Sequence, residues 1–160
     1  MDTSYLQSQL NNQNATAARC ERQAAQFDAL ANRVQGTLNY KTEQLRRAKV
    51  ALSACGKVAN VQSDEKIQFK RYAARLDSTF EEDVFFRKAQ ELTAHDESYA
   101  RNALSAAETL VRNLEAECNS LRNQIASYRG QATAQRNSAA SARNAAYRTS
   151  LAIQQANSQQ

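Results

Sequence analysis

Few residues of this chain are of a type that does chemistry. There is one histidine, His95, within Leu92-Thr-Ala-His-Asp-Glu97, and there are three cysteines, Cys20, Cys55 and Cys118. Carboxylates gather near the histidine: Glu81, Glu82, Asp83, Glu91, Asp96 and Glu97. A di-metal carboxylate centre in a helix bundle takes Glu-x-x-His pairs from two helices and a glutamate from each of two others. Here Glu91 stands four residues before His95, not three, and no second histidine exists, so that chemistry fails. The acids read instead as a solvated helix face partly paired with Lys41, Arg87 and Lys88. A Cys–His nucleophile needs the two groups within hydrogen-bond reach, and in a helical hairpin turning near residue 61 Cys20 falls about seven positions from His95, ~10 Å along the axis and too far for such a bond. Three cysteines without a CxxC suggest neither a disulfide framework nor a zinc site, and they read as small apolar core residues kept reduced. P-loop, GxGxxG and GxSxG patterns are absent. The expectation is a protein that is not an enzyme and needs no metal or cofactor.

The second chemical pattern is basic. Arg122, Arg129, Arg136 and Arg143 recur every seven residues, and Asn123, Asn137 and Asn144 follow three of them. On a helix this ladder could follow phosphates, with Tyr128 and Tyr147 available to stack on bases. An arginine beside an alanine seam more often pairs with an acidic neighbour, and the chain supplies such neighbours. Residues 1–60 carry eight Lys/Arg against four Asp/Glu, residues 61–128 nine against twelve, and residues 129–160 four against none. The net charge of +5 is therefore a basic–acidic–basic sequence. Such a distribution favours helix–helix complementarity over nucleic acid.

The elements that must position these residues are long helices. The chain has no proline and three glycines, whereas sheets and sandwiches need such residues at their many turns. From Leu6, steps of four and three give Leu10, Gln13, Ala17, Cys20, Ala24, Phe27, Ala31, Val34, Leu38, Lys41, Leu45, Ala48, Leu52 and Cys55. Only Gln13 and Lys41 break this apolar seam, and a heptad seam of this length implies a supercoiled partner helix. Gly56, followed by the polar run Asn60 to Asp64, predicts a helix end and a corner at 57–64. A second seam then runs through Phe69, Tyr72, Leu76, Thr79, Asp83, Phe86, Gln90, Thr93, Glu97, Ala100, Leu104, Ala107, Val111, Leu114, Cys118, Leu121, Ile125 and Tyr128. Its phase continues past Gly130 through Ala132, Ala139, Ala142, Ala146 and Ile153.

The expected fold is all-α: an elongated antiparallel helical hairpin, or coiled coil, over 1–128, with a helical extension rich in Ala, Gln and Arg over 129–160. Helix one covers about 3–56 and helix two runs from about 65 to at least 128 and on to 157, the alternative being that the extension folds back as a third helix. A corner at about residue 61 places position i opposite roughly 122 − i on a heptad-paired hairpin. Lys41 then meets Glu81, Glu82 and Asp83, so that Lys41 and Asp83 set the register. Gly36 admits Phe85 and Phe86, and Phe27 comes near His95. In this register the stripe after Leu121 has no partner in its own chain. An apolar stripe must be buried, so Ala132, Ala139, Ala142, Ala146 and Ile153 become the expected partner interface, flanked by the arginine ladder for phosphate or acidic-partner contacts.

No apolar run approaches the ~20 residues of a membrane span, and the start lacks the pattern of a signal peptide. A long hairpin with such a start resembles the small helical substrates and partners of type VII secretion, although their Trp-x-Gly turn is missing here. The polar, alanine-rich end resembles virion ejection and tail-associated proteins in composition. The expected function is that of a non-catalytic assembly protein, a helical subunit that binds copies of itself or another helical protein in a larger complex. A type VII-like secreted protein or its chaperone, and a nucleic-acid-binding helix, are the alternatives.

Overall fold

The computed structural model describes residues 3–73 and 84–159. It contains two α-helices, α1 over Ser4–Ala73 and α2 over Val84–Ser158, with no strand among the described residues. The two pack against each other as an antiparallel helical hairpin. The first turn of α1 is set at Thr3, whose carbonyl accepts the Gln7 N–H at 2.9 Å, as the carbonyl of an N-cap residue does.

The corner expected at 57–64 is not there. α1 runs unbroken through Gly36, Gly56 and the polar stretch to Ala73. No glycine takes a positive φ, so Gly56 does not form the left-handed cap that ends many helices. A glycine inside a helix costs only about 1 kcal/mol, and the seam carries α1 past it. Ala59 is buried and Gln62 half-buried, continuing the four-three spacing from Cys55. α2 likewise continues through Gly130 to Ser158, so the last thirty-odd residues extend the helix and do not fold back.

Moving the corner moves the register. Contacts in the structure place position i opposite roughly 162 − i. The chain divides into two compact units, residues 1–38 with 119–160, and residues 39–118.

In the first unit, α1 presents Ala17, Cys20, Ala24, Ala31 and Leu38 and α2 presents Ile125, Ala132, Ala139 and Ala146, all buried. Alanine on both sides lets the backbones approach closely, with little side-chain entropy lost on burial. Flanking pairs bridge the two segments. Arg143 meets Glu21 at 2.5 Å, Arg136 meets Asp28, and the rings of Phe27 and Tyr128 stack with centroids 6.5 Å apart. The Thr149 hydroxyl lies 3.0 Å from the Gln13 carboxamide oxygen and 3.1 Å from the Ala145 carbonyl, so its proton can serve either acceptor. Gln13, the polar break in the seam, thus has a polar partner in the opposing helix, as a half-buried amide requires.

In the second unit, Ala48, Val111 and Leu114 form a buried cluster with Leu45 and Leu52 packed against it. Lys41 pairs with Glu117 at 2.7 Å and Lys49 with Glu115 at 2.8 Å. Gly56 faces the Leu104 side chain, 4.0 Å from where a Cβ would stand.

Candidate functional site

Among the described residues, those of a type that does chemistry form no three-residue metal-binding group. His95 is exposed, its ring 4.8 Å from Tyr99 and its Nδ1 3.9 Å from the Asp96 carboxylate. Glu97, in contrast, is buried, with the Arg101 guanidinium donating to its Oε1 at 2.5 Å, an arrangement that offsets the cost of burying a carboxylate. Glu91 and Asp96 are exposed. Glu81, Glu82 and Asp83 lie outside the described residues, as does the register role expected of Asp83. All three thiols are free, Cys20 and Cys118 buried and Cys55 half-buried on the seam.

The register shift relocates the remaining expectations. The Lys41 ammonium is bonded to Glu117, while the acids it is expected to meet at 81–83 lie outside the described residues. That hydrogen bond holds the Lys41 pKa above its ordinary value. Phe27 pairs with Tyr128 and not with His95. Among the described residues nothing lies within 4 Å of a Cβ built on Gly36, so no bulky side chain is seen to fill that position.

Of the five residues expected to meet another subunit, Ala132, Ala139 and Ala146 are 0%, 3% and 5% exposed within the chain itself. Ala142 and Ile153 are half-buried beside them. The N-terminal half of α1, which the earlier corner left short, covers this stripe. The arginine ladder splits in two. Arg136 and Arg143 hold Asp28 and Glu21 across the helix pair, so their acidic partners belong to the same chain. Arg122 donates to Asn119 on its own helix at 2.8 Å. Arg129 accepts the Thr133 hydroxyl through its backbone carbonyl at 3.0 Å.

One surface was not singled out by the sequence reading. In the 39–118 unit Val50, Val58 and Val61 are 61%, 54% and 54% exposed. Ala51 and Ala54 beside them are also exposed. The positions 47, 51, 54, 58, 61 and 65 keep a four-three spacing of their own, about 100° around α1 from the seam. Arg47 and Glu65 stand at the two ends of this face, both exposed. Glu43 holds Arg46 at 2.8 Å and Arg47 at 2.9 Å. The two guanidinium groups, Arg46 first, keep the Glu43 carboxyl at a pKa of about 2, below the ordinary 4.5. Next to the face a groove floored by Ala48 and Leu114 is edged by Lys41, Arg47, Leu110 and Glu117, with Leu110 52% exposed.

Compared with known proteins, this chain matches no family model, no curated protein and no solved structure. No described helix is long and apolar enough to cross a membrane.

Proposed function

We propose that this chain is a non-catalytic structural subunit whose work is association through helix surfaces, with copies of itself or with another helical protein of a larger assembly. The observation that carries the proposal is the exposed apolar face of Ala51, Ala54, Val58 and Val61 on α1. Aliphatic side chains aligned along a helix surface mark association sites more often than isolated ones do. Chemistry has little to draw on: the one histidine is exposed beside a tyrosine and an aspartate, and the buried glutamate is held by an arginine. Phosphate binding by the ladder is disfavoured because Arg136 and Arg143 are already engaged with carboxylates.

The alanine-rich end contributes to this role only by completing the fold. The assembly surface therefore moves from residues 132–153 to the middle of α1. Light scattering on the purified chain over a range of concentrations tests the proposal. A mass above that of one 17.8 kDa chain supports association with itself. A monomer throughout restricts the role to a different partner. A nucleic-acid role would show instead as binding that weakens steeply with salt and falls on Arg129→Ala.

A further inference from the structure

The apolar face of α1 carries more information than its hydrophobicity. Read along the helix it is Gln44, Arg47, Ala51, Ala54, Val58, Val61, Glu65 and Gln68. Reversed about a point between Ala54 and Val58, this order sets like on like at the apolar and amide positions and opposite charge on opposite charge at Arg47 and Glu65. Ala54 falls on Val58, Ala51 on Val61, Arg47 on Glu65 and Gln44 on Gln68. A face that complements its own reversal is what an isologous two-fold contact requires, because each side must meet the same surface turned around. A parallel contact in the same register would instead set Arg47 against Arg47 and Glu65 against Glu65, which like-charge repulsion opposes.

We infer that two copies of this chain associate through this face of α1, antiparallel, with the two-fold axis passing between Ala54 and Val58. The inference rests on the assembly reading above and names its partner. The middle of the contact is apolar: Val58 and Val61 of each copy lie over Ala54 and Ala51 of the other. Small residues facing larger ones let two helices close to coiled-coil distance. The contact repeats the four-three spacing of the intrachain seam. The ends are charged. Arg47 of each copy reaches Glu65 of the other, and Glu43 keeps Arg46 when Arg47 turns away. Two Arg–Glu pairs, one at each end, set the direction of the helices, and the aliphatic centre supplies most of the attraction. The groove edged by Leu110 borders the same face.

The test combines an apolar disruption with a charge exchange in the full-length chain. Light scattering and sedimentation equilibrium measure the dimer constant, and circular dichroism checks that helix content is unchanged. Val58→Glu and Val61→Glu, both at exposed positions, are each expected to weaken the dimer at least ~100-fold by placing carboxylates at the apolar centre. Arg47→Glu and Glu65→Arg alone should each weaken it about tenfold. The double variant R47E/E65R should return to within about threefold of the unaltered chain. A dimer insensitive to Val58→Glu and Val61→Glu overturns the inference and leaves the assembly reading intact. A dimer lost in the valine variants but without charge-exchange rescue overturns the antiparallel arrangement. A chain that is monomeric at every concentration overturns self-association altogether and leaves only a role with a different partner.

Discussion

Gly36 and Gly130 are both helical, and nothing described lies within 4 Å of a Cβ added to either. Gly36→Ala and Gly130→Ala should therefore each stabilise the fold by about 0.5–1 kcal/mol, since alanine removes the helix penalty of glycine without a clash. A rise in the urea midpoint at unchanged slope would show it, and a fall would mean a contact that these positions do not have. Glu43 gives a prediction in pH. Its folded pKa of about 2 lies below the ordinary carboxylate value, so its contribution is complete above pH 4.5 and fades as pH falls toward 2. The stability difference between the unaltered chain and Glu43→Gln should be constant near neutrality and vanish across that window. Lys41 behaves oppositely. Its raised pKa makes its contribution complete below the usual lysine value and lost as pH climbs beyond it.

The helices show which part of the fold was legible in the sequence. All fifteen seam positions from Leu6 to Cys55 are buried or half-buried, and so is every α2 seam position from Glu97 to Ala156. Each helix's buried side follows from hydrophobic periodicity alone. The corner did not follow, because a lone glycine and a polar run signal a stop only when the seam also stops. Ala59 and Gln62 keep the phase, and an alanine and a glutamine carry too little apolar contrast to be noticed. The exposed valine–alanine face of α1 escaped for a related reason: its four-three stripe is short and lies on a helix whose longer seam dominates the pattern. The corrected register makes its own prediction. Ala132 has no exposed surface, so Ala132→Leu should overpack the first unit and cost about 1–3 kcal/mol. Ala134→Leu, on the exposed side, should be nearly neutral. If both proved neutral in thermal melts, α1 could not be covering that stripe.

At the scale of the whole molecule, connectivity separates the two units. The 39–118 unit is continuous in sequence, whereas the other joins residues 1–38 to 119–160 and closes a long intervening loop. Replacing 39–118 by a link of ~6 residues should lower that closure cost by about 2 kcal/mol. A cooperative melt of the shortened chain would show the first unit to be self-sufficient, and a non-cooperative one would deny it. The ion pairs of that unit have a further property. Glu21 and Asp28 are seven residues apart, as are their partners Arg143 and Arg136, and Arg129 and Arg122 continue the series. A hairpin slipped by one heptad would still offer Asp28 an arginine, and every alanine another seam residue. The charges thus work like the teeth of a rack: they hold the arms together in any notch without choosing one. The choice falls to the features that do not repeat. After such a slip Gln13 would face Ala142 or Ala156 in place of Thr149, and Phe27 would lose Tyr128. Within the 1–38 and 119–160 unit the described contacts that tell one notch from the next are this amide–hydroxyl pair and this ring pair, and Gln13→Leu with Tyr128→Ala should let that unit show register isomers as a second set of resonances.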